Sequence, residues 1–129
     1  MNGNVSVYLT ISWSPFSGHL TRLTLVGIHT QPSKAAEEID ALSDVLDYVE
    51  TELGAQNVVL LGDFNAGCSY VTGAQWEVNR LKGRADVTWT IADHTDTTVH
   101  ATNCAYDRYG TRTACRARSL ELGEQLRYS

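Results

Sequence analysis

Hydrophobic and polar positions recur along this chain with periods that outline its elements before any chemistry enters. Val5, Val7, Leu9 and Ile11 alternate with Ser6, Tyr8, Thr10 and Ser12, the period of two expected of a half-buried strand. Ser14-Pro15-Phe16-Ser17-Gly18 turns the chain, and residues 20–28 resume as a second strand, so the pair predicts a hairpin with a long loop. Pro32 and Ser33 suit the first turn of a helix. Ile39, Leu42, Leu46, Val49 and Leu53 then follow at helical spacing, and Gly54 stands where a helix-ending glycine belongs. Glu37, Glu38, Asp40, Asp44, Asp47, Glu50 and Glu52 spread over the polar side of this helix, as on a solvated surface. The run Val58-Val59-Leu60-Leu61 reads as a strand buried on both faces, making the order β-β-α-β. Residues 73–82 predict a short helix with Trp76 and Leu81 turned inward, and Val87, Trp89 and Ile91 predict another strand. Residues 104–108 look like a short strand, whereas residues 109–129 show no clear strand.

Length and composition narrow the class. At 129 residues and 43% apolar, the chain can bury one core but is too short for two ordinary domains. A net charge of -5 argues against a protein that holds polyanions by bulk electrostatics. The charge is uneven: residues 1–79 hold Arg22 and Lys34 against nine acids, and residues 80–129 hold eight basic residues against six. Any phosphate-facing surface is therefore expected in the second part. No run approaches the roughly 18 apolar residues of a membrane span, and Met1-Asn2-Gly3-Asn4 lacks the basic start and apolar core of a secretory signal. Cys68, Cys104 and Cys115 have neither the short paired spacings nor the histidine cluster of a zinc site. One disulfide and one odd thiol would suit an oxidising compartment.

Candidate chemistry concentrates where the aliphatic run ends. Gly62-Asp63-Phe64-Asn65-Ala66-Gly67 displays a carboxylate and an amide at a strand's carboxyl end, where a rigid element meets an open loop. The plainer reading is a turn, with the glycines as punctuation and Asp63 and Asn65 as its hydrogen-bonding side chains. His29 closes the second strand, a position more often structural than catalytic. Residues 93–103 carry seven oxygen-bearing side chains, including Asp96, Thr97, Thr98 and Thr102, which suit either a hydrogen-bonded loop or a hard cation.

These landmarks, in order and spacing, resemble the deoxyribonuclease I family of the metal-dependent endonuclease/exonuclease/phosphatase superfamily. The resemblance rests on Ser14-Pro15-Phe16, Ile28-His29-Thr30-Gln31-Pro32, Glu38-Ile39-Asp40-Ala41-Leu42, Asp96-Thr97-Thr98 and two longer blocks. Those blocks are Gly62-Asp63-Phe64-Asn65-Ala66-Gly67-Cys68-Ser69-Tyr70-Val71 and Asn103-Cys104-Ala105-Tyr106-Asp107-Arg108. The resemblance implies an α+β fold, a four-layer α/β/β/α sandwich of which residues 1–108 copy mainly the second half. It implies a divalent-metal-dependent endonuclease that hydrolyses DNA phosphodiester bonds, with Mg2+ or Mn2+ at the reacting phosphate and Ca2+ in a structural loop. By position, His29 would handle a proton, Asp63 and Asn65 would contact the catalytic cation and phosphate, Asp107 would orient a histidine, and Tyr106 would contact substrate beside it. Cys68 and Cys104 would form the family's disulfide, Asp96, Thr98 and Thr102 a calcium loop, and the protein would be secreted.

The chain also departs from that pattern. The asparagine and glutamates of the family's first half have no counterpart before Met1, and no histidine follows His100, although the family ends in a Ser-Asp-His segment. His100 stands where the family's calcium loop has a threonine. Residues 109–129 are expected to form a divergent, disordered basic tail. A truncated and weakly active or inactive nuclease is the resulting expectation, with a catalytically silent DNA- or partner-binding fragment as the alternative. Half of a two-sheet sandwich would bare one sheet face and invite self-association. A phosphatase or abasic-site nuclease of the same superfamily fits the two cysteine blocks less well.

Overall fold

In the computed structural model, which describes residues 7–13 and 21–113, the strands form one five-stranded mixed sheet. β1 (Val7–Trp13) pairs antiparallel with β2 (Thr21–His29), as the alternation predicts. The turn at Ser14-Pro15-Phe16 and the odd Cys115 lie outside the described residues. A 3-10 turn at Pro32–Lys34 leads into α1 (Ala35–Thr51), and β3 (Asn57–Asp63) then lies parallel to β2. α2 (Gly73–Glu77), β4 (Val87–Trp89) and β5 (Asp107–Thr113) follow, and β5 pairs antiparallel with both β3 and β4, so the sheet order is β1-β2-β3-β5-β4. The class is α+β.

The core forms where the helical and strand periods meet. Ile39, Leu42, Leu46 and Val49 of α1 pack in one buried cluster with Val26 and Ile28 of β2 and Val58 and Leu60 of β3. Each such side chain contributes about 1.5–3 kcal/mol by leaving water. Leu53 falls beyond the helix and is exposed, since the chain turns at Gly54 in the left-handed region, φ 64°. The run expected to be buried on both faces is buried only through Leu60. Leu61 is 37% exposed beside its register partner Tyr109 at 38%, on the face away from the core. Trp76 and Leu81 are buried as expected, but the helix expected over 73–82 stops at Glu77, so Leu81 comes from the turns after it; Thr72 and Gln75 cap α2 reciprocally.

Two sequence expectations are corrected here. The last strand runs over Asp107–Thr113 rather than 104–108, so the first five residues assigned to the tail occupy an inner strand. Its inward positions are Arg108, Gly110 and Arg112, all buried, with Tyr109 exposed between them. The alternation exists but is written in arginine and glycine, which hydrophobic patterning cannot register. Gly110 is needed for its bareness: a Cβ there would meet the Trp89 ring at 3.3 Å.

The acids of α1 are not all simply solvated either. Asp40, Asp44, Asp47 and Glu50 form a line along the helix that arginines from elsewhere meet. Arg80 bridges Asp40 at 2.7 Å and Asp44 at 2.9 Å, and Arg84 joins Asp47 at 2.8 Å to Asp86 at 2.9 Å. Arg112 pairs with Glu50 and with Asp86, the latter at 2.8 Å. The Arg80 N–H and side chain hold the Asp40 carboxyl below its usual range, Arg80 does the same for Asp44, and Arg84 and then Arg112 hold Asp86 well below it.

Candidate active site

The carboxyl ends of the parallel strands β2 and β3 and the start of β5 meet at one end of the sheet. His29 is the register partner of Asp63, and Asp63 is the register partner of Asp107. Three residues separated by up to 78 positions in sequence therefore stand on three adjacent strands. Gly62 makes this closure possible. Its φ is 142°, and a Cβ there would lie 1.9 Å from the carbonyl oxygen of Ile28, so only glycine lets the ends of β2 and β3 approach this closely.

Asp63 uses its two oxygens differently. Oδ1 accepts the Asn65 backbone N–H at 3.0 Å, while Oδ2 lies 3.6 Å from His29 Nε2, an ion-pair separation rather than a hydrogen bond. His29 is largely exposed and Asp63 partly so, which leaves the imidazole open to an incoming molecule. Asp107 is set deeper. Burial first, and then the neighbouring charge of Asp63, raise its carboxyl above the ordinary value, while Thr97 and His29 pull it back.

Asn65 is buried and sits in the left-handed region at φ 47°, a conformation asparagine accepts more readily than most residues. Its Nδ2 donates to the carbonyl of Thr30 at 2.9 Å and to the Thr30 hydroxyl at 3.2 Å. Thr30 in turn donates its hydroxyl to Phe64 O at 2.8 Å and its N–H to Asp63 O at 3.0 Å. The sequence reading did not single out Thr30. Its buried hydroxyl is what fixes the amide, and only its place beside His29 hinted at this.

Tyr106 accepts the Phe64 N–H at its carbonyl, 2.9 Å, and its ring packs against Tyr70 with centroids 5.3 Å apart. Beside it, Arg108 is almost fully buried. It donates to Asp93 at 2.8 Å, to the carbonyls of Ile91 at 3.1 Å and Ala66 at 2.9 Å, and lies over the Trp76 ring at 4.9 Å. Cys68 and Cys104 form a disulfide that closes a 36-residue separation, worth about 4 kcal/mol in the chain-entropy model. It ties the loop after Asn65 to the segment before Asp107.

The oxygen-rich loop is also brought together. Asp96 Oδ1 accepts the Thr98 hydroxyl at 2.7 Å and the Thr98 N–H at 2.9 Å, which lower its carboxyl's affinity for a proton. The Thr98 hydroxyl also meets the Thr102 carbonyl. Asp93, by contrast, belongs to Arg108 and to Trp76 Nε1. Among the described residues no group of three His, Cys, Asp or Glu side chains could hold a metal ion. The donors at the strand ends are nonetheless hard oxygens, the ligand type that divalent cations prefer. A recess of about 350 Å³ between α1 and residues 75–80, lined by Asp40, Gln75, Val78 and Arg80 among others, shares none of these residues.

An α+β protein with an imidazole and two carboxylates at the ends of its central strands is the class that fold and site define. By sequence the chain is related to deoxyribonuclease-1. It is 46% identical to deoxyribonuclease-1 of Equus caballus over 95 residues and 46% identical to that of Bos taurus over 96, covering 74% and 72% of this chain. Deoxyribonuclease-1 of Gallus gallus is 39% identical over 113 residues, 88% of the chain. These matches span 33%, 34% and 40% of the relatives' own lengths, so the chain is partial relative to them. No protein-family model matches the chain.

Proposed function

We propose that this chain carries one side of a divalent-metal-dependent endonuclease site that hydrolyses DNA phosphodiester bonds. The supporting observation is the meeting of His29, Asp63 and Asp107 on three adjacent strand ends, with Asn65 locked beside them. Exposed His29 takes or returns a proton at the oxygen of the attacking water or the leaving sugar. Asp63, 3.6 Å away, stabilises the imidazolium formed in that transfer. Because Nδ2 of Asn65 is held by Thr30, its amide oxygen is the atom free to serve the site among the described residues. Asp107 supplies a carboxylate to the same centre, and Tyr106 lines it next to the DNA backbone.

Asp63 and Asn65 would hold the cation, Mg2+ or Mn2+, which when bound supplies positive charge to the phosphate oxygens. Asp96, Thr98 and Thr102 would serve a structural Ca2+. The disulfide and the kinship to deoxyribonuclease-1 support a secreted protein. Purified chain should nick supercoiled plasmid in Mg2+ or Mn2+ but not in chelator, and Asp63→Ala should lower the rate by about a hundredfold or more. Absence of nicking above a buffer blank would reject the reading for this chain.

A second reading, a catalytically silent DNA- or partner-binding fragment that also self-associates, draws support from the exposed Leu61–Tyr109 pair on the sheet face away from α1. Salt-sensitive retention of DNA without turnover would favour it.

A further inference from the structure

We propose that Thr97 is a positioning residue for the strand-end site: its hydroxyl couples the oxygen-rich loop at residues 96–104 to the backbone that carries Asp107. The proposal rests on the nuclease reading for its catalytic consequence, and on geometry for the coupling itself.

A threonine hydroxyl offers one proton and two lone pairs. Here three backbone groups share it, beside its influence on the Asp107 carboxyl. Thr97 Oγ1 accepts the N–H of Tyr106 at 3.0 Å and the N–H of Asp107 at 3.1 Å, and it donates to the carbonyl of Cys104 at 3.3 Å. The Thr97 N–H donates to that same carbonyl at 3.0 Å. The side chain therefore gathers the segment that enters β5, where Asp107 faces Asp63 as the first rung of the β3–β5 pairing. On its far side, the carbonyl of Tyr106 accepts the N–H of Phe64, so the peptide that Thr97 grips is the one joining the two acid-bearing strands.

The loop on either side of Thr97 is built as one piece with this grip. Asp96 Oδ1 accepts two bonds from Thr98 and the Cys104 N–H at 3.4 Å, while Cys104 is held by its disulfide. A change in the Asp96–Thr98–Thr102 arrangement must pass through Thr97 or Cys104 to reach Asp107. Of the two, Thr97 touches the Asp107 backbone directly. Thr97 reaches the reacting groups through the backbone of Tyr106 and Asp107, which makes its role one of placement.

Thr97→Val keeps the shape and removes the hydroxyl; Thr97→Ser keeps the hydroxyl. In the 129-residue chain, amide hydrogen exchange should quicken about tenfold at Tyr106 and Asp107 in Thr97→Val, the equivalent of one lost hydrogen bond each. Exchange in α1 at Ile39, Leu42 and Leu46 should hold its wild-type rate, and Thr97→Ser should return Tyr106 and Asp107 to within about twofold. Unchanged exchange at Tyr106 and Asp107, or equal acceleration in α1, overturns the proposal. In metal-supported nicking, Thr97→Val should lower kcat about tenfold with KM unaltered, and Thr97→Ser should recover it. Unaltered kcat beside faster exchange also overturns the positioning role. If wild-type chain nicks no DNA, the nuclease reading fails, and the exchange result alone still decides whether Thr97 grips Asp107.

Discussion

The strand-end site and the arginine-laced side of α1 handle charge in opposite ways. Along α1, Asp40, Asp44, Asp47 and Glu50 each face a guanidinium, and the arginines that answer them come from residues 80, 84 and 112. At the strand ends, Asp63 and Asp107 face each other, and no arginine or lysine is paired with either among the described residues; the imidazole of His29 lies 3.6 Å from Asp63. Compensated charge ties distant segments together and adds modest stability. Uncompensated charge costs stability and is retained where chemistry uses it. The contrast separates the part of the chain that holds the fold from the part proposed to act.

Substitution at Gly62 should break that contrast most severely, because it removes the closure on which the site depends. A Cβ 1.9 Å from the Ile28 carbonyl, at φ 142°, forces β2 and β3 apart at the level of His29 and Asp63. Gly62→Ala is expected to destabilise the chain by about 3 kcal/mol or more and to abolish any nicking. Chemical denaturation of the variant checks the first effect. Gly73→Ala, where a Cβ meets nothing within 4 Å, is the control.

Next in size is the loss of Arg108. Alanine there strands the carbonyls of Ala66 and Ile91 and empties a buried volume beside Trp76. A cost of about 3–5 kcal/mol is expected from two stranded carbonyls and the lost packing, since Asp93 itself stays hydrated. Arg84→Ala, whose guanidinium is less deeply buried and is held mainly by exposed carboxylates, should cost about 1 kcal/mol. Equal losses in urea melts would sink the distinction drawn between the two arginines.

How far the sequence revealed this follows the same division. The β-β-α-β order, the α1 core stripe and the Cys68–Cys104 bond were legible because apolar spacing and family-like blocks carry them. Strand β5 was read only at its start, since Arg108-Tyr109-Gly110-Thr111-Arg112 buries polar side chains whose partners lie 15 to 62 residues away. The ion-pair line on α1 was hidden for the same reason: helical periodicity places acids on a face but cannot tell whether arginines from another segment will meet them. Asp63 and Asn65 announced themselves through their glycine brackets. Thr30 and Thr97 did not, because a threonine that spends its hydroxyl on backbone has no sequence signature.

The smallest effect is also the most discriminating, because pH should move the two regions in opposite directions. Asp40, Asp44 and Asp86 have native proton affinities below the ordinary carboxylate value of 3.8, so the unfolded chain binds more protons and their contribution is lost as pH falls below that value. Asp107 has its affinity raised by burial and by Asp63, so the native chain holds its proton longer. That contribution is present below the unfolded value and is lost as pH climbs through the native one. Asp107→Asn removes the partly desolvated, repelled charge and should make the chain more stable than wild type at pH 7. At pH 3 the advantage should shrink toward zero, while Asp86→Asn should cost stability at pH 7 and progressively less in acid. Urea midpoints of both variants across that range measure the two slopes. Slopes of the same sign would mean that the strand-end acids are compensated after all, and that the difference between the two regions is one of position alone.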